Sequence, residues 1–163
     1  MAATLSIRPM TPADIGTVAQ LHLDTWRHAY RDVYPLDAMT LAEFAGRWQR
    51  AFASPSHKFC CLHDDLIVGL LSVHLNADAA EILTLYVSPK AQGMGCGTAL
   101  LNHGLRLASQ SGYGTAALWV LADNRPAIDF YRRRGWQEDG RVATVERYGC
   151  ARQQIGMART LSN

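Results

Sequence analysis

Gln92-Gly93-Met94-Gly95-Cys96-Gly97 lies between an apolar stretch that ends at Val87 and an apolar-periodic stretch that begins at Thr98. Glycines let backbone amides approach a ligand with no Cβ in the way, and the first amides of a following helix have no intrahelical acceptor. Strand, glycine loop and helix in that order build an anion site, and the helix dipole strengthens it. The chemistry this predicts is the binding of a phosphate-bearing cofactor. A P-loop would need Lys and then Ser or Thr directly after its last glycine. Thr98 and Ala99 stand there instead. The dinucleotide fingerprint G-x-G-x-x-G/A wants a small residue where Gly95-x-Gly97 runs to Leu100 and Gly93-x-Gly95 runs to Thr98, and an acid about 20 residues on. Asp123 comes too late for that place.

A third pattern is filled at every fixed position. Gln92, Gly95 and Gly97 match (Arg/Gln)-x-x-Gly-x-(Gly/Ala), and the residues on both sides continue the match. Before the loop stands Ala80-Glu81-Ile82-Leu83-Thr84-Leu85-Tyr86-Val87-Ser88-Pro89. After it comes Asn124-Arg125-Pro126-Ala127-Ile128-Asp129-Phe130-Tyr131, with Gly135-Trp136 close behind. The chain thereby resembles the GNAT superfamily of acetyl-CoA-dependent N-acetyltransferases, specifically from about Glu81 to Trp136 and in architecture outside that segment. The resemblance implies an α/β fold, a mixed and mostly antiparallel sheet of about seven strands flanked by about four helices. It also implies acetyl-CoA as cosubstrate and a small-molecule or protein amine as acceptor, with room for a homodimer.

Roles follow from the resemblance residue by residue. Amides of Gly93, Met94, Gly95, Cys96, Gly97 and Thr98, with Gln92 leading in, would cradle the pyrophosphate, Cys96 through its amide rather than its sulfur. Main-chain groups of Leu85, Tyr86 and Val87 would pair with the pantetheine arm, and one amide near Leu85 would sit by the thioester oxygen. Tyr131 falls where the family's general acid lies. A phenol with pKa near 10 protonates a thiolate whose conjugate acid has pKa about 8.5 only uphill, so a hydrogen bond that tightens as charge develops is the economical role; a packed aromatic beside Phe130 is the plain alternative. Asn124, with Ala127 at the expected offset, would bond the cofactor arm or cap the strand end, and Asp123 would help the same turn. Glu81 is either a general base for the ammonium or a strand-initiating glutamate that faces solvent.

Acceptor selection in this fold would come from the first two helices and the late strands. Trp26 and Tyr30 form an i, i+4 pair that either lines the groove or fills the core. Asp37 and Glu43 are acids without a distinguishing context. The run Arg132-Arg133-Arg134 would meet the cofactor's ribose phosphate or form a solvated helix face. The six histidines show no H-x-x-x-H or His/Cys pairing, so no metal site is expected.

These groups need a scaffold, and the chain reads as one. At 163 residues it suits a single domain, residues 1–163. Leu5 and Ile7 alternate into Pro9 as a strand. Thr11, Pro12 and Asp14 open a helix that buries one face with Ile15, Val18, Ala19, Leu21, His22 and Thr25 or Trp26. Phe44, Trp48 and Phe52 mark a second helix from Leu41 to Phe52. The stretches 58–63 and 66–75 form a hairpin about Asp64-Asp65. Then follow strand 81–87, helix 95–111 closed by Gly112, strand 116–121, a helix with Pro126 at its first position, and strands 136–148 and 153–159. With a net charge of +2 and both signs dispersed, no basic stripe argues for nucleic acid as the main partner, four cysteines without C-x-x-C read as free thiols in a reducing cytosol, and no apolar run suits a membrane or a signal peptide. The expectation is a soluble cytoplasmic protein.

Overall fold

The computed structural model describes residues 4–162. Seven strands form one sheet: β1 (Leu5–Pro9), β2 (His57–His63), β3 (Leu66–Leu75), β4 (Ala80–Val87), β5 (Thr115–Leu121), β6 (Gln137–Arg147) and β7 (Cys150–Thr160). Their order is β1-β2-β3-β4-β5-β7-β6. Only β4 and β5 are parallel. The helices are α1 (Ile15–Ala29), α2 (Leu41–Phe52), α3 (Cys96–Gln110) and α4 (Arg125–Arg132). This is the mixed, mostly antiparallel sheet with four helices that the sequence predicts.

Local chemistry sets the joints. Asp64 and Asp65 take φ of 47° and 65° in the β2–β3 turn, and Tyr148 and Gly149 take 53° and 74° between β6 and β7. Two consecutive positive φ values match the twist of a two-residue hairpin. Because that second turn is so short, β7 starts at Cys150 and not at 153 as the strand pattern suggests. Pro12–Asp14 is a short 3-10 turn, so the α-helix proper begins at Ile15. The Asp14 carboxylate accepts from the Thr11 amide and, bidentate, from Arg8. Thr40 Oγ1 accepts from the Glu43 amide and caps α2. Pro126 is the second residue of α4, not the first, because Asn124 takes the cap position.

The sheet is packed on both faces. Adjacent residues of the central strands go to opposite sides: Cys61 and Leu71 join Leu100, Leu118, Ile128 and Trp136 beneath α3 and α4. Cys60 and Leu70 join Val18, Trp26, Phe44 and Trp48 beneath α1 and α2. This is the period-2 alternation of a strand buried on both sides. Gly69 on β3 lies against the first turn of α3. A Cβ there would stand 2.7 Å from Cys96 Sγ and 2.9 Å from Leu100 Cδ1. The missing side chain lets the first turn of α3 lie directly on the sheet.

One irregularity shapes the centre. Ser72 faces Thr84 and Val73 faces Ile82, so Leu83 is the extra residue of a bulge in β4. A bulge interrupts the ladder and bends its strand. Pairing between β4 and β5 covers only Ala80, Glu81 and Ile82 against Ala116, Ala117 and Leu118. Beyond the bulge the two strands part, β4 continuing to Val87 and β5 to Leu121. Their facing edges open at the carboxyl ends of parallel strands, where α/β sheets place their ligands. Among the described residues no helix is long and apolar enough to cross a membrane.

Candidate active site

The glycine loop sits at the head of α3. Gly93 has φ +80° and Gly95, the residue that caps α3, has φ +83°. Both are left-handed values that favour glycine. Nothing lies within 4 Å of the position a Cβ would take at either one, so the space above the loop is open to a ligand. The first intrahelical bond runs from the Ala99 amide to the Gly95 carbonyl at 2.9 Å. The amides of Cys96, Gly97 and Thr98 therefore have no acceptor within the helix. Cys96 is buried with its sulfur toward Gly69, and burial pushes its thiol pKa up. Its side chain is core and its amide belongs to the loop.

Arg134 joins this end of the molecule. It donates to Thr98 Oγ1 at 2.7 and 3.1 Å and to the Phe130 carbonyl at 2.9 Å. Its guanidinium carbon lies 3.7 Å from the centre of the Phe130 ring. Arg132, by contrast, pairs with Glu138 at the surface. The arginine run is thus not one solvated face: its third member is fixed against the first turn of α3. Amides without acceptors, two side-chain-free glycines and a pinned guanidinium fit an anionic pyrophosphate. Gly97 connects the parts, since a Cβ there would stand 3.4 Å from Phe130 and 3.6 Å from Val87. Loop, end of β4 and α4 meet at that point.

Between the parted strands lies a cleft of about 280 Å³. Of the residues singled out in the sequence, Glu81, Leu85, Tyr86, Asn124, Ala127 and Tyr131 line it. Trp26 and Tyr30 line it as well. Val87 and Gln92 to Thr98 lie outside its walls. Tyr131 is 8% exposed and packs edge-on against Phe130 and Trp136, and its hydroxyl has no hydrogen-bond partner among the described residues. Burial, with the neighbouring Tyr86 second, raises its phenol well above the usual range. It stays protonated at any physiological pH.

Asn124 is held at both ends of its amide. Its Oδ1 accepts from the Ala127 amide at 3.3 Å and caps α4, and its Nδ2 donates to the Tyr30 hydroxyl at 3.2 Å. A cap of this kind contributes roughly 1 kcal/mol. It also ties the end of α1 to the start of α4 across the mouth of the cleft. Tyr30 and Trp26 are each under 7% exposed, yet both contribute wall. The two readings of this pair hold together: they are core residues whose inner edges are cleft surface. Behind them His22 stacks on Tyr86 at 4.6 Å, and its Nδ1 accepts from the Trp48 indole at 3.1 Å. Burial lowers the His22 pKa to about 3, so the imidazole is neutral.

Glu81 lies in the parallel-paired part of β4, half-buried, and its carboxylate forms no hydrogen bond or ion pair among the described residues. Arg147, at the end of β6, reaches the same cleft with its guanidinium carbon 4.9 Å from the Trp26 ring centre. The sequence reading missed Arg147 and Gln154, which also lines the cleft. No motif marks them, and only the pairing of β5 with β7 and β7 with β6 brings them in. The two acids without context find ordinary places. Glu43 is bonded by Arg47 at 2.5 Å and by Tyr148 at 2.9 Å, and Asp37 lies in a short 3-10 turn. Among the described residues no group of three or more His, Cys, Asp or Glu is arranged to hold a metal ion.

Known proteins resemble this chain in sequence or in fold. An uncharacterized N-acetyltransferase of Methanocaldococcus jannaschii is 29% identical over 83% of this chain and 62% of its own length. One of Bacillus subtilis is 26% identical over 78% of each. The chain thus spans rather under two thirds of the first relative. The crystal structure of the PaiA N-acetyltransferase of Thermoplasma acidophilum in complex with coenzyme A superposes with a TM-score of 0.79. It covers 96% of this chain and 99% of that one at 17% identity, a likeness of fold. The acetyltransferase (GNAT) family matches residues 18–136, which hold the glycine loop, the bulged strand and Tyr131. The chain belongs to that family.

Proposed function

We propose that this chain moves the acetyl group of acetyl-CoA to a primary amine by direct attack, with both reactants held in the cleft between β4 and β5. The observation that supports this most is the convergence of three features. These are the unpaired edge of β4 after the Leu83 bulge, the protonated Tyr131, and a glycine loop reached through the Val87–Gly97–Phe130 contact. When bound, acetyl-CoA supplies an activated acyl group on a thiol leaving group.

In this reading the amides from Gly93 to Thr98 hold the pyrophosphate, with Arg134 beside them and Gln92 leading the chain in. Main-chain groups of Leu85, Tyr86 and Val87, freed where β5 turns away, pair with the pantetheine arm. The amide near Leu85 donates to the thioester oxygen as charge develops there. Glu81 accepts the ammonium proton, directly or through water, so that a neutral nitrogen attacks. The new C–N bond replaces the C–S bond, the acylated nitrogen loses its surplus proton to solvent, and Tyr131 donates a hydrogen bond to the departing sulfur. Because burial holds the phenol above its ordinary range, Tyr131 stabilises the thiolate without giving up its proton for good; solvent supplies that proton. Asn124 and Ala127 hold the start of α4, which carries Tyr131, in register with Tyr30 on the acceptor wall.

Calorimetry with CoA and NAD, followed by thiol release from acetyl-CoA across an amine panel, tests the reading. CoA binding with amine-dependent thiol release is expected. CoA binding without release for any amine would leave a non-catalytic acyl-CoA-binding domain, and NAD binding without CoA binding would overturn the site.

A further inference from the structure

Two opposite charges line one cleft, and among the described residues neither forms a hydrogen bond or an ion pair with a protein group. Glu81 stands on β4 and Arg147 at the end of β6. The other charges on this side are matched. Arg47 is bonded to Glu43, which also accepts from Tyr148, and Arg152 donates to the Val33 carbonyl and lies 4.0 Å from Asp123. Arg147 is positioned by the Trp26 face at 4.9 Å, which orients the guanidinium plane and uses none of its five donors. Burial raises the pKa of Tyr30 and Tyr86 on the cleft wall, and the Arg147 charge is among the influences that oppose part of that rise.

We infer that the acceptor is a small zwitterion: a primary amine presented to Glu81 whose own oxyanion, a carboxylate or a phosphate, is gripped by Arg147. A cleft of about 280 Å³ shared with the acyl end of the donor has room for a small molecule of this kind. A planar guanidinium fork matches either oxyanion through two parallel hydrogen bonds. A polyamine would bring a second cation toward Arg147 and be disfavoured. This inference rests on the transferase reading and adds the acceptor class to it.

The test uses the full chain, matched acceptor sets and two readouts. Each set holds an amino acid, the amine left by its decarboxylation, an aminoalkyl phosphate of the same length, and a diamine. The oxyanion-bearing members are expected to exceed the neutral and dicationic ones in kcat/KM by at least about tenfold, the scale of one charge-assisted pair. The arm that wins identifies carboxylate or phosphate. Arg147→Gln should raise KM for those members roughly ten- to a hundredfold with kcat within a few-fold, erase the preference and leave CoA affinity unchanged, while Arg147→Lys restores part of it. Calorimetric binding of the same acceptors to the CoA complex gives the second readout. Equal use of the decarboxylated amines, or a preference that survives Arg147→Gln, would overturn the assignment. Failure of the transferase reading looks different: CoA binds and no acceptor releases thiol. In that case loss of oxyanion binding on Arg147→Gln would still support the Arg147 site, and its absence would dismiss it.

Discussion

Replacing Gly95 tests the anion cradle with two separable effects. Its φ of +83° is left-handed, and nothing lies within 4 Å of the Cβ position. Gly95→Val therefore causes no steric clash in the free protein; its cost there is backbone strain. A left-handed residue costs about 1–2 kcal/mol, and a β-branched one lies at the upper end. For a chain of 163 residues that lowers Tm by roughly 2–4 °C per kcal/mol. The second effect appears only with ligand, because the isopropyl group occupies space over the Cys96, Gly97 and Thr98 amides. Loss of one charge-assisted hydrogen bond, about 1.5–3 kcal/mol, weakens CoA roughly 10- to 150-fold. Gly95→Asn separates the two, since asparagine tolerates left-handed φ but still carries a side chain. Its Tm should stay close to that of the parent while CoA affinity falls. Thermal unfolding without ligand and calorimetry with CoA measure the two numbers. A folded Gly95→Val protein that binds CoA as tightly as the parent refutes the cradle, and a ligand-free Tm unchanged in Gly95→Val refutes the strain argument.

Three further outcomes are expected. Tyr131→Phe should lower kcat by roughly 10- to 1,000-fold with little change in CoA binding; because the phenol is raised well above its ordinary value, the parent kcat should show no alkaline fall attributable to Tyr131 below pH 10. An unchanged kcat removes Tyr131 from the mechanism. Glu81→Gln should lose rate that higher pH partly restores, as more of the amine is then neutral without help, and a loss equal at all pH values would show a structural role instead. Acid should destabilise the fold before its carboxylates titrate. His22 has a pKa of about 3 folded against 6.5 unfolded, so the unfolded chain binds the extra proton. The contribution is complete above pH 6.5 and declines by about 1.4 kcal/mol per pH unit as pH falls below it. Asp14, lowered to about 2 chiefly by its bonds from Arg8, adds a loss only below its ordinary value of 3.8. Denaturant unfolding at pH 7, 6 and 5 measures the slope, which should flatten in His22→Leu; a parent slope near zero over that range would contradict a buried neutral imidazole.

Local rules made much of this molecule legible. Apolar periodicity gave α2 to the residue, and Asp64-Asp65 marked its hairpin, because these signals lie within one or two turns of chain. The hairpin at Tyr148-Gly149 was missed because Tyr148 is not a residue that favours positive φ, and the short turn imposes it. Arg134 illustrates a further gap. The triple arginine was visible, but which member escapes solvent depends on where α4 lies against Thr98, 36 positions earlier.

The sequence by itself determined the glycine loop, the order of strands and helices, and the segment from Asn124 to Tyr131, since spacing along the chain carries all three. Tertiary structure alone decided that a cleft exists. The Leu83 bulge is a fact of register between β3 and β4, and it ends the parallel pairing after Ile82. Tertiary structure also decided which late-strand residues join Glu81 in the cleft lining. Arg147 reaches it through two antiparallel pairings, β5 with β7 and β7 with β6, that no local pattern encodes. The glycine loop is written in contiguous residues because a loop and a helix end are local structures. The cleft is assembled from distant strands, and its lining is visible only after the sheet has closed around it.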